Sequence, residues 1–275
     1  MMGDEQALAL RANIATYDNF DERAYVNGAP HLKHPSIARI YSALVDAAIA
    51  AVGRDPGDVS VLELGAGSGL ASDPWFANRV QLTAVDSSES MLSALARRAA
   101  GHDGKVTTVV DDAVDFLTKA VTKFDVVTHV SMLHHVPDYL SLLRLSSTRV
   151  QSGGCLLTFQ DPIRYRSLRF RDHFSDRASY FAWRSGQGNL KRGLKTRWRR
   201  LRGVYSPDEV VDFDEYHVVR EGVDIDAIVA LLRASFARVE VTRYWSTYSR
   251  RLQSLGERLG LVSSFGILAS GRNRS

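Results

Sequence analysis

Three glycines and a later carboxylate are the residues of this chain whose spacing favours a defined chemistry. Gly65, Gly67 and Gly69 follow the strand-like run 61–64, and Asp86 comes 21 residues after Gly65, at the end of another apolar run. Glycine lets a backbone turn sharply and approach a ligand closely, because it has no Cβ. A carboxylate at the tip of the next strand can accept hydrogen bonds from both hydroxyls of a ribose. The spacing therefore favours a site for an adenosine group.

The sequence also excludes several other kinds of site. The glycine spacing is GxGxG rather than the GxGxxG of dinucleotide sites, and no lysine follows it as a phosphate-binding P-loop requires. We therefore expect a nucleoside ligand with no phosphate to hold. The adjacent residues His134 and His135 lack a chelating spacing on a helix, and no cysteine, histidine or carboxylate cluster has a metal-ligand pattern. We expect no metal.

Alternating strand and helix patterns indicate which elements position these residues. Apolar runs predict strands near 59–64, 80–85, 106–110, 124–130, 154–160, 239–244 and 265–269. Helical patterns cover 36–52, with Ser36 as the cap, and 88–99, 137–150 and 225–236. This alternation predicts an α/β fold with a doubly wound, mainly parallel, seven-stranded sheet. Pro74 limits the crossover after the glycines to a short helix.

A basic segment interrupts the alternation after the fifth strand. Residues 163–215 are predicted to form a partly helical insertion, or lid, over the carboxyl edge of the sheet. Within it, 164–202 carries eleven arginines and two lysines against two aspartates, a charge of +11 in a chain whose net charge is +4. Interleaved aromatic residues are Phe174, Tyr180, Phe181, Trp183 and Trp198. Three readings stay open: a solvated surface, a docking surface for an anionic partner such as a membrane, or a nucleic-acid site.

Several motifs in this order resemble those of the class I S-adenosylmethionine-dependent methyltransferases. They are Val61 to Gly69, Asp86, Asp112, Phe124 to Asp138 and Gly153 to Phe159, and the resemblance covers 36–162, with 222–271 more loosely. It implies one Rossmann-like methyltransferase domain over 1–275, whose last two strands form an antiparallel pair and whose residues 1–53 form an N-terminal helical cover and first helix. It implies S-adenosyl-L-methionine as the cofactor.

The resemblance also implies a set of cofactor-binding residues. They are Tyr17, Tyr25, Glu63, Gly65, Ala66, Gly67, Asp86, Ser87, Met91, Asp112, Ala113 and Val130. The glycine turn would pass under the methionine part, Asp86 would accept from the ribose, and Asp112 would accept from the adenine amine.

Each of these assignments has a structural alternative. Glu63 orients the turn or the cofactor's amino group, or is satisfied by backbone amides. Asp86 also suits the N-cap of the helix that follows it. Asp111 competes with Asp112 for the adenine, and Met91 is a core residue or a cover for the adenosine. Tyr17 and Tyr25 close over the cofactor or anchor the N-terminal segment.

Methyl transfer from a sulfonium is an in-line displacement, so it needs a base only where the nucleophile must lose a proton. His134 and His135 follow the fourth strand, where the family's substrate and methyl group meet, and His217 follows the insertion. An imidazole titrates near neutrality and can take a proton from a hydroxyl. In the alternative, the first two only shape the site and the third packs in a strand. His129 lies inside a strand and is expected in the core.

These patterns predict methyl transfer to a small organic molecule, most readily at oxygen because of the histidines. The acceptor is expected to be anionic or lipid-like, not a nucleic acid, and the protein could be a homo-oligomer. Alternatives are a lipid or RNA methyltransferase that uses the basic insertion, or a non-catalytic cofactor-binding partner protein. Cys155 is the only cysteine, the N-terminus is polar, and no apolar run is long enough for a bilayer, which favours the cytoplasm. The preference for arginine over lysine indicates a GC-rich bacterial source, in which such enzymes often modify secondary metabolites or lipids.

Overall fold

A single twisted sheet organises the chain in this computed structural model, which describes residues 34–186 and 222–273 and, of these, every side chain except those of 183–186. Its strands are β1 (Ser60–Leu64), β2 (Gln81–Asp86), β3 (Val106–Val110), β4 (Phe124–Val130), β5 (Val150–Pro162), β6 (Phe236–Tyr244) and β7 (Ser264–Arg272). The strand order is β3-β2-β1-β4-β5-β7-β6, with seven strands. Only β7 runs antiparallel to its two neighbours, which confirms the predicted mainly parallel sheet.

The helices connect these strands on both faces of the sheet. They are α1 (Pro35–Val52), α2 (Asp73–Ala77), α3 (Glu89–Ala99), α4 (Ala113–Lys119), α5 (Tyr139–Thr148), α6 (Phe170–Gly186), α7 (Ile225–Arg233) and α8 (Arg250–Arg258). Short 3-10 turns lie at Pro56–Asp58, Leu133–His135 and Tyr165–Ser167. As predicted, the crossover after the glycines is brief: α2 spans five residues, with Pro74 in its first turn.

Two apolar cores lie on opposite faces of the sheet. One joins α1 to β5 and includes Ile37, Val45 and Phe159, all with no exposed surface. The other, on the opposite face, includes Leu142 of α5 and Ile228 of α7. Among the described helices, α1 is long and apolar enough to cross a membrane by length and composition. Here its apolar stripe is buried against the sheet, as is usual for an amphipathic helix that packs on a core.

Several boundaries differ from the sequence-based expectations. Ser36 does not cap α1: the helix already begins at Pro35, His34 occupies the N-cap position, and the Ser36 hydroxyl bonds the Glu257 carboxylate. Pro35 explains the earlier start, because its fixed φ suits the first turn of a helix. The helix predicted over 225–236 is shorter than expected, because α7 ends at Arg233 and Phe236 is the first residue of β6. Helix α8 was not expected, because its sequence is dominated by polar residues.

A bulge near the carboxyl end of β5 changes which face its side chains occupy. Pairing with β7 shifts between Phe159 and Asp161, so Gln160 is an extra residue, and its φ of 66° lies in the left-handed region. Leu157 and Phe159 lie in the core on the α1 side, whereas Ile163 lies in the core on the other side. The odd-numbered positions therefore change faces at the bulge, and Asp161 is the first odd position after it.

Candidate active site

The glycine turn closes over the end of β2. The backbone N–H groups of Gly65 and Ala66 both donate to the carbonyl of Val85, at 2.9 and 3.1 Å. Gly65 and Gly67 have φ of 67° and 53°, a region that residues with a Cβ rarely adopt. The turn thus holds its backbone close to the tips of β1 and β2, as the sequence spacing predicted.

Asp86 ties the glycine turn to the start of α3. Its Oδ2 accepts from the Gly67 N–H at 2.8 Å, and its Oδ1 accepts from the Ser88 N–H at 2.9 Å. Burial raises the pKa of the Asp86 carboxyl, and the bonds from the Ser88, Gly67 and Ser87 amides oppose that rise. The alternative that Asp86 is the N-cap of α3 is wrong, because the Ser88 hydroxyl fills that role by accepting from the Met91 N–H.

Glu63 is a buried carboxyl directly before the glycine turn. The Ser72 hydroxyl donates to its Oε2 at 2.6 Å, so its partner is a side chain and not the backbone amides of the alternative reading. Burial raises its pKa to about 7, against the lowering effect of Ser72. Its Oε1 is buried without a hydrogen-bond partner, as is the Ser68 hydroxyl of the turn itself. Buried polar atoms without partners suit a site that a polar ligand completes.

Asp112 lies after β3 and caps α4. Its Oδ1 accepts from the backbone N–H groups of Val114 and Asp115, at 2.8 and 3.1 Å. Asp111, the alternative partner for the adenine, instead forms an ion pair with Lys119, with 3.2 Å between Oδ2 and Nζ. Both bonds of the cap go to one oxygen of Asp112, so its carboxylate can accept a further donor.

Three more residues of the expected cofactor set lie beside these acids. Ala113 is the first residue of α4, Met91 lies in the first turn of α3, and Val130 ends β4. Met91 is 2% exposed, which fits both a core role and a cover over a bound ring.

His134 forms a dyad with Asp161, a residue that the sequence patterns did not single out. Nδ1 of His134 lies 2.8 Å from Oδ1 of Asp161, and the His134 backbone N–H donates to the same oxygen at 3.1 Å. Asp161 has no exposed surface, and its Oδ2 is buried without a hydrogen-bond partner. A carboxylate beside Nδ1 favours the Nδ1–H tautomer, which places the lone pair on Nε2. The His134 side chain is 9% exposed.

The neighbouring histidines are placed differently. The ring of His135 lies against that of His134, with centroids 4.1 Å apart. His129 has no exposed surface, lies 3.0 Å from the Ser146 hydroxyl through Nε2, and has a pKa lowered to about 3 by burial. The prediction that His129 is a core residue is confirmed.

The glycine turn and the histidine segment are in contact. A Cβ built on Gly65 would lie 3.0 Å from Sδ of Met132, two residues before His134. β1 pairs with β4, and β4 pairs with β5, so the three strand ends that carry the turn, the dyad histidine and Asp161 are adjacent. The nucleoside-type site and the histidine–aspartate dyad therefore share one edge of the sheet.

Some expected site residues lie outside the described part of the chain. They are Tyr17, Tyr25 and His217, and their roles stay predictions, as does the lid role of 163–215. Within 34–186 and 222–273, no three histidine, cysteine or acidic side chains are grouped as metal ligands.

The described part of the insertion packs a polar cluster against the segment after β6. Ring centroids of Tyr180 and Tyr248 are 6.4 Å apart. Burial raises the pKa of Asp176 to about 6, and burial together with the nearby Asp176 carboxylate raises that of Tyr165 to about 12. The inward face of α6 is therefore polar.

Comparisons with known proteins agree with this geometry. A family model described as "Methyltransferase domain" matches residues 62–156. The "Ubiquinone biosynthesis O-methyltransferase" of Coxiella burnetii (strain Dugway 5J108-111) is 30% identical over 96 residues, which cover 35% of this chain and 41% of that protein. The protein of the same name from Xanthomonas campestris pv. campestris (strain B100) is 30% identical over 35% of this chain and 40% of its own length. The matched part thus spans less than half of these relatives.

Solved structures extend the likeness over nearly the whole chain. The plantazolicin methyltransferase BpumL, in complex with SAH, has a TM-score of 0.55 at 14% identity and covers 99% of this chain and 98% of its own. Magnesium protoporphyrin IX methyltransferase (ChlM) from Synechocystis PCC 6803, with bound SAH, has a TM-score of 0.52 at 14% identity, covering 94% of this chain and 99% of its own. At such identities the likeness is one of fold. Residues 62–156 thus match a methyltransferase domain, and the strand order of the sheet is that of the class I S-adenosylmethionine-dependent methyltransferase fold.

Proposed function

We propose that this protein binds S-adenosylmethionine at the glycine turn and transfers its methyl group to an oxygen atom of a small organic molecule. The observation that carries the proposal is the contact of Gly65 with the Met132 side chain, because it joins the nucleoside-type site to the segment that holds His134. The family and the names of the O-methyltransferase relatives support the reaction class.

The residues around the turn fit this cofactor. When bound, S-adenosylmethionine supplies a methyl group on a positively charged sulfur. Asp86 accepts two backbone amides, and its carboxylate has lone pairs left for the ribose hydroxyls. Asp112 is available to the adenine amine in the same way. The partnerless Oε1 of Glu63 is a buried acceptor directly before the turn, and we assign it to orienting the ammonium end.

The His134–Asp161 dyad suits an acceptor that must lose a proton. Asp161 accepts from Nδ1–H and holds the ring, so Nε2 is the basic atom. As the acceptor oxygen bonds to the methyl carbon and the carbon–sulfur bond breaks, Nε2 takes the hydroxyl proton and the electron pair stays on sulfur. A neutral amine attacks without prior loss of a proton, so a positioned base favours oxygen over nitrogen.

Calorimetric titration of S-adenosylhomocysteine tests the cofactor site without an acceptor. We expect Asp86→Asn to weaken binding by about 1–3 kcal/mol, the effect of an unmatched polar group. Asp103→Asn, an acid whose side chain is 80% exposed and paired with Arg79, is the matched control and should bind like the wild type. Absence of binding to the wild type would contradict the proposal at its first step.

A labelled-methyl assay tests the chemistry. We would offer a panel of phenols, each with its matched aniline, to the wild type and to His134→Gln. Methylation of phenols alone, lost in His134→Gln while S-adenosylhomocysteine still binds, is the expected result. If anilines were methylated as well as phenols, and if His134→Gln had no effect, the enzyme would be an N-methyltransferase instead. Binding without any product across the panel would favour the non-catalytic alternative.

A further inference from the structure

Helix α6 presents an aromatic face to the exterior. Phe170, Phe174 and Phe181 are 85%, 64% and 57% exposed, and the first two rings are stacked with centroids 6.3 Å apart. At 100° of rotation per residue, these three side chains and Arg177 fall within a sector of about 60°. We call these four residues, together with the exposed Arg166, Arg169 and Arg171, the α6 stripe.

The opposite face of α6 is polar and buried. Asp172 and Ser179 are 1% and 7% exposed, and they lie about half a turn away from the stripe. A helix of a globular domain ordinarily buries its apolar residues and exposes its polar ones. In α6 this polarity is reversed: the polar side chains of Asp172 and Ser179 are buried, and the rings of Phe170 and Phe174 stay more than half exposed.

The charges around the α6 stripe are positive. Arg166, Arg169, Arg171 and Arg177 are all exposed, and the segment 164–202 has the charge of +11 noted above. Phenylalanine has no polar atom, so exposed phenylalanine rings match a hydrocarbon boundary, while arginines match phosphate groups. A nucleic acid would explain the arginines, but it does not require three phenylalanines on one helical face.

We propose that the α6 stripe docks on an anionic phospholipid bilayer, with its phenylalanines in the interface and its arginines on the lipid phosphates. This inference goes beyond the proposed methyl transfer and does not rest on it, because docking needs neither cofactor nor acceptor. α6 follows the strand that carries Asp161 after the connection 163–169, which contains the turn Tyr165–Ser167. Docking there would suit an acceptor that is dissolved in the membrane.

Flotation of the full chain with lipid vesicles tests the proposal. We expect binding to vesicles of phosphatidylcholine with about a third phosphatidylglycerol, little binding to phosphatidylcholine alone, and release at high salt. The triple variant F170S/F174S/F181S should lose most of the binding. The double variant R166Q/R169Q should weaken it by about fivefold per arginine.

Matched exposed residues on other elements serve as controls. L255S/L259S removes two apolar side chains that are 53% and 56% exposed, and R238Q/R258Q removes two exposed arginines. Both controls should bind like the wild type, and thermal melting should show that every variant is folded. No flotation with either vesicle, equal flotation without anionic lipid, or equal loss in the control variants would overturn the proposal. The proposal would also be overturned if the protein did not float with vesicles but bound single-stranded RNA tightly, and if the phenylalanine substitutions left that RNA binding unchanged.

Discussion

Oδ1 of Asp161 accepts two hydrogen bonds from one residue: the His134 backbone N–H at 3.1 Å and its ring Nδ1 at 2.8 Å. The first bond fixes the backbone where the ring begins, and the second fixes the ring itself. Because both bonds converge on one oxygen of a fully buried carboxylate, the fold sets the orientation of His134 before any ligand binds.

Replacing Asp161 with asparagine should change the tautomer of His134. An amide that donates to Nδ1 would move the ring proton to Nε2, which removes the basic lone pair from that atom. We expect NMR of the ring nitrogens to show this reversal, and turnover of a phenol to fall by about 10²-fold or more. Asp138→Asn alters a nearby exposed acid that caps α5 and should leave the His134 tautomer unchanged. An unchanged tautomer in Asp161→Asn would contradict the dyad.

Glu63 should make the fold less stable as the pH rises. Its pKa is about 7 in the folded chain against 4.5 in the reference, so between these values the folded state binds more protons than the unfolded state. The free energy of unfolding should therefore fall by roughly 3 kcal/mol from pH 4.5 to above pH 7, through this group. Urea titrations of Glu63→Gln should lack this decline. Glu89→Gln, an exposed glutamate of α3, should retain it.

His129 should act in the opposite direction. Burial lowers its pKa to about 3 from 6.5, so between these values the unfolded state binds the extra proton. Stability should be lost as the pH falls through that window, by about 3 kcal/mol between pH 6.5 and 4.5. His129→Leu should remove this loss, whatever it costs at neutral pH, whereas the exposed His102→Gln should not. Equal acid sensitivity of both variants would show that His129 is not responsible.

Alanine substitutions at three glycines should distinguish the cost of steric crowding from the cost of backbone strain. A Cβ on Gly256 would lie 2.4 Å from Nε1 of the buried Trp245, so Gly256→Ala should destabilise the fold by about 1–3 kcal/mol. Gly260→Ala meets no atom within 4 Å but has φ of 59°, and should cost about 1 kcal/mol. Gly101→Ala, whose nearest atom is 4.0 Å away, should be close to neutral. Thermal melts rank the three, and a neutral Gly256→Ala would refute the crowding.

Local patterns predicted the sheet well because each strand is a self-contained apolar run. The bounds of β3 and β4 were predicted to the residue, and the glycine turn, the short α2 and the buried His129 followed from local rules. Cap positions were less predictable, since Ser88 and Asp112 were each one of several adjacent polar candidates.

The partner of His134 could not be predicted in this way. Asp161 lies 27 residues away, and period-two alternation along β5 would place it on the same face as Phe159. Only the pairing of β5 with β7 reveals the extra residue that reverses this assignment. Helix α8 was missed for another reason: its stability comes from tertiary contacts such as that of Gly256 with Trp245, which no local pattern contains.

The bulge at Gln160 lets two consecutive polar residues of β5 serve different partners, because Gln160 bonds Tyr244 of β6 and Asp161 bonds His134. Gln160 is held in place by the Tyr244 hydroxyl, which donates to its Oε1 at 3.0 Å and accepts from its N–H at 3.0 Å. Deleting that one residue would bring Asp161 directly after Phe159, and regular alternation would keep Asp161 on the face opposite Phe159, which it already occupies. The deletion would therefore remove the bonds between Gln160 and Tyr244 while Asp161 kept its place opposite Phe265, so the tie to β6 and the partner of His134 can change independently.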